Sequence, residues 1–282
     1  MKKILGFFIC CLPFFATAQH FEVGIMGGVS NYQGDLAPAS LRGSFGNTHA
    51  SFGGFLRYNI NNYFATKINA NYGKISGDDS KSDDNGRKAR NLSFRSNLFE
   101  VGLHVEFNIL GYQPYNLERV FSPYIFGGIA LVNFKPQAEL EGEWYDLQPL
   151  GTEGQGLPEY PEKKPYKLTE FSLPVGFGLK YALNDAWNIG LEIGVRKTFT
   201  DYLDDVSGTY PDAGTLLETK GEVAAALSNR TEEVKRAGDL RGDAGDDDWY
   251  FMGGLTISYN FLDNGLVGSR NRSRGRSGCP TF

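Results

Sequence analysis

Cysteine is almost absent from this chain. There are three, and Cys10 and Cys11 both fall in the apolar start "MKKILGFFICCLPFFATAQ". Lys2 and Lys3 precede the run Ile4 to Phe15, and Ala16-Thr17-Ala18 has the small-x-small form of a cleavage site. Residues 1–18 therefore read as an export signal cut after Ala18. Cys279 is then the only cysteine left, and an internal disulfide is excluded. The two upstream cysteines lie too far from the cleavage site for a lipoprotein signal. Histidine is equally scarce, at His20, His49 and His104, which leaves little material for catalysis. Beyond the signal no apolar run approaches the ~20 residues of a spanning helix. A net charge of −5 argues against general nucleic-acid binding.

Glycine and aromatic residues are plentiful instead: 36 Gly, 21 Phe and 15 Tyr. They concentrate in eight segments of period-two alternation, the strand signal, at about 21–30, 51–61, 63–75, 96–108, 122–134, 169–182, 186–197 and 249–261. Tight connections near Asn59–Tyr63, Ile109–Phe121 and Ala182–Ala186 alternate with long ones at 31–50, 76–95, 135–168 and 198–248. That alternation is the plan of an antiparallel meander with turns at one end and loops at the other.

In most of these segments one parity is apolar and the other polar, more weakly in the second and third. Trp187, Ile189, Leu191, Ile193 and Val195 oppose Asn188, Gly190, Glu192, Gly194 and Arg196; Phe99, Val101, Leu103, Val105 and Phe107 oppose Glu100, Gly102, His104 and Glu106. A soluble sandwich would bury the apolar face. Two features favour the inverse arrangement, with lipid outside and charge within. The polar faces carry glycines such as Gly176, Gly178, Gly190 and Gly194, which suit a crowded interior better than a solvated surface. The strands also run about 10–13 residues, longer than the ~5–6 usual in soluble sheets. In lipid every backbone hydrogen bond must be internal, so a β solution must close. Tyr63, Trp187, Trp249 and Phe261 at strand ends suit interfacial girdles. The expected fold is all-β: an eight-stranded antiparallel up-and-down transmembrane β-barrel over residues 19–261, with long extracellular loops. The fifth segment, "SPYIFGGIALVNF", is apolar on both faces and its orientation is unassigned.

An eight-stranded barrel is only wide enough for side chains to fill. Glu22, Arg57, Lys67, Glu100, His104, Glu106, Glu170, Lys180, Glu192 and Arg196 thus read as a structural ion-pair network in the lumen. A permeation pathway is the alternative. His104 beside Glu100 or Glu106 could imitate a serine hydrolase of lipids, but sequence places no serine in reach. No catalytic residue, metal ligand or cofactor site is assigned. The clusters Asp201/Asp204/Asp205 and Asp243/Asp246/Asp247/Asp248 offer oxygen ligands for calcium, without EF-hand spacing. The third long loop is too rich in Pro and Gly for regular structure, while Ala224–Leu227 and Thr231–Arg236 suggest a short helix in the fourth. Residues 262–282 form a basic tail, with Arg270, Arg272, Arg274 and Arg276 alternating with small polar residues, and read as disordered. An even number of strands puts both termini on one side, the periplasm, where those arginines are a candidate contact for an acidic partner.

Several loops carry a resemblance. "GGVSNYQGDL" (Gly27–Leu36), "YNLERVFSPYIFGGIAL" (Tyr115–Leu131), "PLGTEGQGLPEYPEKKPYKLTEFSLPVGFGLKY" (Pro149–Tyr181) and "RKTFTDYLDDVSGTY" (Arg196–Tyr210) look like the PorG family of the Bacteroidota type IX secretion system. The likeness spans residues 19–261. It implies an integral outer-membrane component of a machine that exports proteins bearing a C-terminal sorting domain, serving secretion, gliding motility or both. The implied partners are outer-membrane lipid and the periplasmic ring of the PorK lipoprotein and PorN. No enzymatic residue is carried over. The loop residues Asp201, Tyr202, Leu203, Asp204 and Asp205 are the candidate contact for a partner.

Overall fold

The computed structural model describes residues 21–37, 46–113, 119–233 and 235–261. The proposed signal and the basic tail, with Arg270, Arg272, Arg274 and Arg276, lie outside the described residues.

Eight strands build a closed wall: β1 (Phe21–Gln33), β2 (His49–Asn59), β3 (Phe64–Asp78), β4 (Ser93–Asn108), β5 (Phe121–Leu140), β7 (Thr169–Ala182), β8 (Trp187–Thr198) and β9 (Trp249–Phe261). Each pairs antiparallel with its neighbour, and β1 closes on β9 from Phe21↔Phe261 to Gln33↔Trp249. The fold is a closed eight-stranded antiparallel β-barrel. A ninth strand, β6 (Glu143–Asp146), pairs with the overhanging end of β5 from Leu140↔Glu143 to Gln137↔Asp146. Glu141 and Gly142 join these two strands with φ of 54° and 86°, the left-handed pair that a two-residue hairpin turn requires.

The turn end of the barrel uses one device twice. Asn61 Oδ1 accepts from the amides of Tyr63 and Phe64 at 2.8 and 2.9 Å. Asn184 Oδ1 accepts from Ala186 and Trp187, both at 2.9 Å. An asparagine three residues before the next strand thus replaces a backbone turn bond.

The apolar parity faces outward, as the inverted reading expects. Ile25 is 65% exposed, Phe177 57% and Leu255 68%, whereas Glu100, His104 and Glu106 are fully buried. Strand β5 resolves its ambiguity by filling the lumen. Ile125, Ile129 and Leu131 point out, while Tyr124, Phe126, Val132 and Phe134 point in. The glycines of β7 and β8 make room for those rings. A Cβ on Gly178 would fall 2.5 Å from the Tyr124 ring, and one on Gly176 or Gly194 would fall 2.6 or 2.7 Å from Phe126.

Some boundaries and loops differ from expectation. The second strand runs His49–Asn59, two residues earlier than 51–61, because Asn61 turns the chain. The third long loop is not wholly irregular. It begins with the β5–β6 hairpin and a helical turn at Leu147–Leu150, made possible by Glu141-Gly142, and its Pro/Gly-rich part starts only at Gly151. The fourth loop holds two helices, Ala213–Lys220 and Glu222–Ser228. Its second helix stops at Ser228, short of Thr231, where Asn229 turns extended.

Candidate functional site: a filled lumen and a closed mouth

The inward parity brings four carboxylates, Glu22, Glu100, Glu106 and Glu192, against four cations, Arg57, Lys67, Lys180 and Arg196, all buried. Toward the turn end Glu106 is the hub. Its carboxylate lies 2.8 Å from Arg57 Nε, 2.5 Å from Lys180 Nζ and 3.5 Å from Lys67 Nζ. Arg57 also pairs with Glu22, and Lys67 with Glu192. Tyr124 Oη donates to Glu192 at 2.7 Å, and Lys180 Nζ donates to Asn108 Oδ1 at 3.0 Å. Lys180 sits 4.3 Å from the Tyr124 ring centroid and Lys67 5.2 Å from that of Phe126. Desolvated cations gain most from such rings.

A second cluster surrounds Glu100. It accepts from Arg196 Nε at 3.1 Å, Tyr250 Oη at 2.7 Å, Asn69 Nδ2 at 3.0 Å and Asn71 Nδ2 at 2.8 Å. Arg196 Nη1 donates to the carbonyls of Gly194 and Met252 at 2.7 and 3.0 Å. Buried charges of this kind are tolerable only when paired and hydrogen-bonded. Among these eight described residues the signs balance, four against four.

Two expected members stand apart. Glu170 has the inward parity but is half-buried at the loop-end rim, with no ion pair among the described residues. His104 is buried, and its ring stacks on Phe126 at 5.1 Å and 13°. Neither of its nitrogens has a hydrogen-bond partner among the described residues, so no serine is engaged there. The hydrolase arrangement is not assembled.

Beyond Glu100 the barrel fills with an apolar core that includes Ile75, Leu98, Val132, Phe134, Leu203 and Val206. The last two come from the fourth loop. This corrects the expectation that Asp201–Asp205 present a partner-contact surface: Asp201, Leu203, Asp204 and Asp205 are buried, and Tyr202 is half-buried. Leu203 and Val206 plunge into the apolar interior, and the acidic residues between them find partners inside. Tyr32 Oη lies 2.6 Å from Asp204 Oδ2 and 2.7 Å from Asp248 Oδ1. One hydroxyl proton cannot serve both, so one carboxyl carries a proton of its own. Burial pushes Asp204 up to about 8 and Asp248 well above the carboxylate range. Burial also raises Asp201 to about 8.

Asp205, in the left-handed region at φ 69°, accepts from Thr152 Oγ1 and from Tyr166 Oη at 2.6 Å. Burial lifts its carboxyl to about 6 against the opposing pull of Arg241. Arg241 Nη1 donates to Glu153 Oε1 at 3.1 Å, and Glu153 accepts from the Ser207 and Gly208 amides at 2.9 and 3.0 Å. Tyr166 stacks on Tyr202 at 4.6 Å. Loops three and four therefore lock together as a lid. Sequence reasoning missed Tyr32, Glu153, Tyr166 and Arg241. Their partners lie dozens of residues away, and no local spacing marks them. Among the described residues no group of three or more acidic, His or Cys side chains is arranged to hold a metal ion.

These features define a β-barrel of the transmembrane type whose lumen is filled and whose loop end is closed. The chain belongs to the DUF6089 family, described as a domain of unknown function, whose model matches residues 2–148. Among curated protein sequences, none matches this chain. In structure it is similar to Neisserial surface protein A (TM-score 0.42, 10% identity, 86% of this chain and 97% of that one). It is similar also to the attachment invasion locus protein Ail of Yersinia pestis (TM-score 0.38, 12% identity, 86% and 99%). A third such structure is the N-terminal β-barrel domain of Pseudomonas aeruginosa OprF (TM-score 0.36, 12% identity, 86% and 98%).

Proposed function

We propose that this chain is an integral outer-membrane component of a type IX protein secretion machine, anchoring or positioning the periplasmic ring of PorK and PorN type. The observation that carries the reading is the closure of the barrel. A lumen of four paired carboxylates and an apolar plug beneath a folded lid suit an anchor better than a conduit. The segment Arg196–Tyr210, one of the four that carry the PorG resemblance, supplies the lid residues Leu203 to Asp205.

In this reading the loop end faces outward and the turn end faces the periplasm. Phe21 and Phe261 are paired at the turn end, so the wall begins and ends on the ring's side. Exposed Ile60, Leu110 and Leu183 at the turns, together with the arginines of 262–282, are the surfaces offered to the ring. Crosslinking of tagged protein in intact cells, followed by detergent extraction, tests this. Co-purification of the ring lipoprotein and its partner is expected, and its loss on deleting 262–282 would locate the contact in the tail. Recovery of the barrel alone, with the ring intact elsewhere, sinks the assignment.

A small pore or ligand-transport barrel is the second reading. It draws on the polar lumen wall, where Glu22 Oε2 and Asn69 Oδ1 lack a partner among the described residues. A lipid-modifying enzyme is the third, and it requires His104 to be essential.

A further inference from the structure

The outward face changes character at the loop end of β3, β4 and β5. Nearest the turns, Phe64, Phe107 and Ile125 stand opposite one another across these three strands. Higher up come Tyr72, Phe99 and Asn133, and the next outward row is Lys74, Asn97 and Lys135. Above it Ser76, Arg95 and Gln137 form a further row. A cationic step therefore sits on the rim of an apolar belt. At adjacent-strand spacing the Cα atoms of Lys74 and Lys135 are roughly 10 Å apart, with the Asn97 amide between them. Lys135 Nζ is turned to the far side, toward β6, so a phosphate at Asn97 draws this flexible stem back across β5.

We propose that Lys74, Asn97, Lys135 and Arg95 form a binding site for the phosphate-bearing headgroup of an outer-leaflet lipid whose acyl chains lie against Tyr72, Phe99 and the belt below. The occupant follows from the position. The belt has lipid as its solvent, and cations just above it meet the headgroup layer. At the other border of these strands the exposed cation is Arg119, whose Nη1 donates to Tyr63 Oη at 3.5 Å, against the three cations grouped here. Arg95 is held in place by its guanidinium lying 3.4 Å from the Trp144 ring centroid and by Nε donating to Gln137 Oε1 at 3.3 Å. Lys135 Nζ lies 2.7 Å from Asp146 Oδ2 on β6, a pair more than a third exposed on each side. A phosphate would share Lys135 with that carboxylate; in the two rows next to the belt three cations stand on these strands, and the acids Asp78 and Glu139 lie one row further out. The assignment to the outer leaflet rests on the outward orientation of the loop end given above.

The test compares purified protein in vesicles containing bis-phosphorylated lipid A with vesicles containing the dephosphorylated lipid, reading how much lipid co-purifies. Five- to sixfold per cation is expected, so the K74Q/K135Q double variant retains about 30-fold less phosphorylated lipid. Dephosphorylated lipid is retained as poorly by both proteins, and Lys220→Gln, on a loop helix, changes nothing. Heat-dependent gel migration and melting confirm that each variant is folded. Equal retention by the double variant overturns the site, and so does equal retention of both lipids. Displacement by millimolar inorganic phosphate would mark a free-anion site and also overturns it. Labelling of Glu218→Cys, in a Cys279→Ser background, with a membrane-impermeant maleimide on intact cells checks orientation separately. Loss of lipid in the double variant with Glu218→Cys unlabelled would contradict the orientation and the outer-leaflet assignment, leaving only the phosphate contact.

Discussion

Arg196 and Glu100, 96 residues apart in sequence, meet at 3.1 Å with side chains 1% and 0% exposed. The pair ties β8 to β4 across the lumen, and it is the upper boundary of the charged interior. Removing one partner strands the other. Glu100→Ala or Arg196→Ala should destabilise the barrel by about 3–5 kcal/mol, while a double replacement by apolar residues of similar volume recovers most of the loss. Urea unfolding in lipid vesicles measures both, and a neutral single variant would contradict the burial of the pair.

The aromatic filling of the lumen depends on glycine at fixed inward positions. Gly178→Val would drive a side chain into Tyr124 and the Leu191 carbonyl, and should cost about 1–3 kcal/mol. Gly27→Val is the control. A Cβ at Gly27 meets nothing within 4 Å, so this variant should fold like the parent. Similar losses at both positions would show that the glycines serve backbone freedom and not room for rings.

Period two made the wall legible, and the glycine-bearing polar parity indicated which face was inside. Strand β5 could not be read that way because its two faces bury in different apolar surroundings, lipid for Ile125 and the lumen for Phe126. The lumen charges were legible from parity alone, except that parity cannot see depth, which is what separates half-buried Glu170 at the loop-end rim from Glu106, fully buried toward the turn end. The lid was not legible. Acidic "DYLDD" has the composition of a solvated loop, and only the distant Tyr32, Thr152, Tyr166 and Arg241 make its burial possible.

Lid closure should depend on pH. Burial holds the Asp204 carboxyl well above the ordinary carboxylate value in the folded lid, so the folded state holds the extra proton. Stability from this group is complete below about pH 4, and it falls as pH rises toward about 8, where the buried carboxyl ionises. Hydrogen exchange at the Leu203 and Val206 amides, corrected for intrinsic rates, should show protection declining through that window. Asp204→Asn should make the decline shallower and leave the share of Asp201 and Asp248. Rising protection with pH would reverse the sign and refute the shared-proton arrangement at Tyr32.

The lock between loops three and four should fail as a unit. Arg241→Met leaves Glu153 and Asp205 buried without their cation, and should open the lid at a cost of about 3–5 kcal/mol. Limited proteolysis between Gly151 and Lys167 would then accelerate while heat-dependent gel migration of the barrel is retained. Unchanged cleavage would mean that the apolar insertion of Leu203 and Val206 holds the lid without the ion pairs.

Single-channel recording in planar bilayers addresses the closed barrel most directly. The filled lumen, the apolar plug and the lid together predict no discrete conductance steps from the purified protein at neutral pH. Reproducible steps, with ion selectivity altered by Glu100→Gln or Arg196→Gln, would contradict closure and make the barrel a conduit.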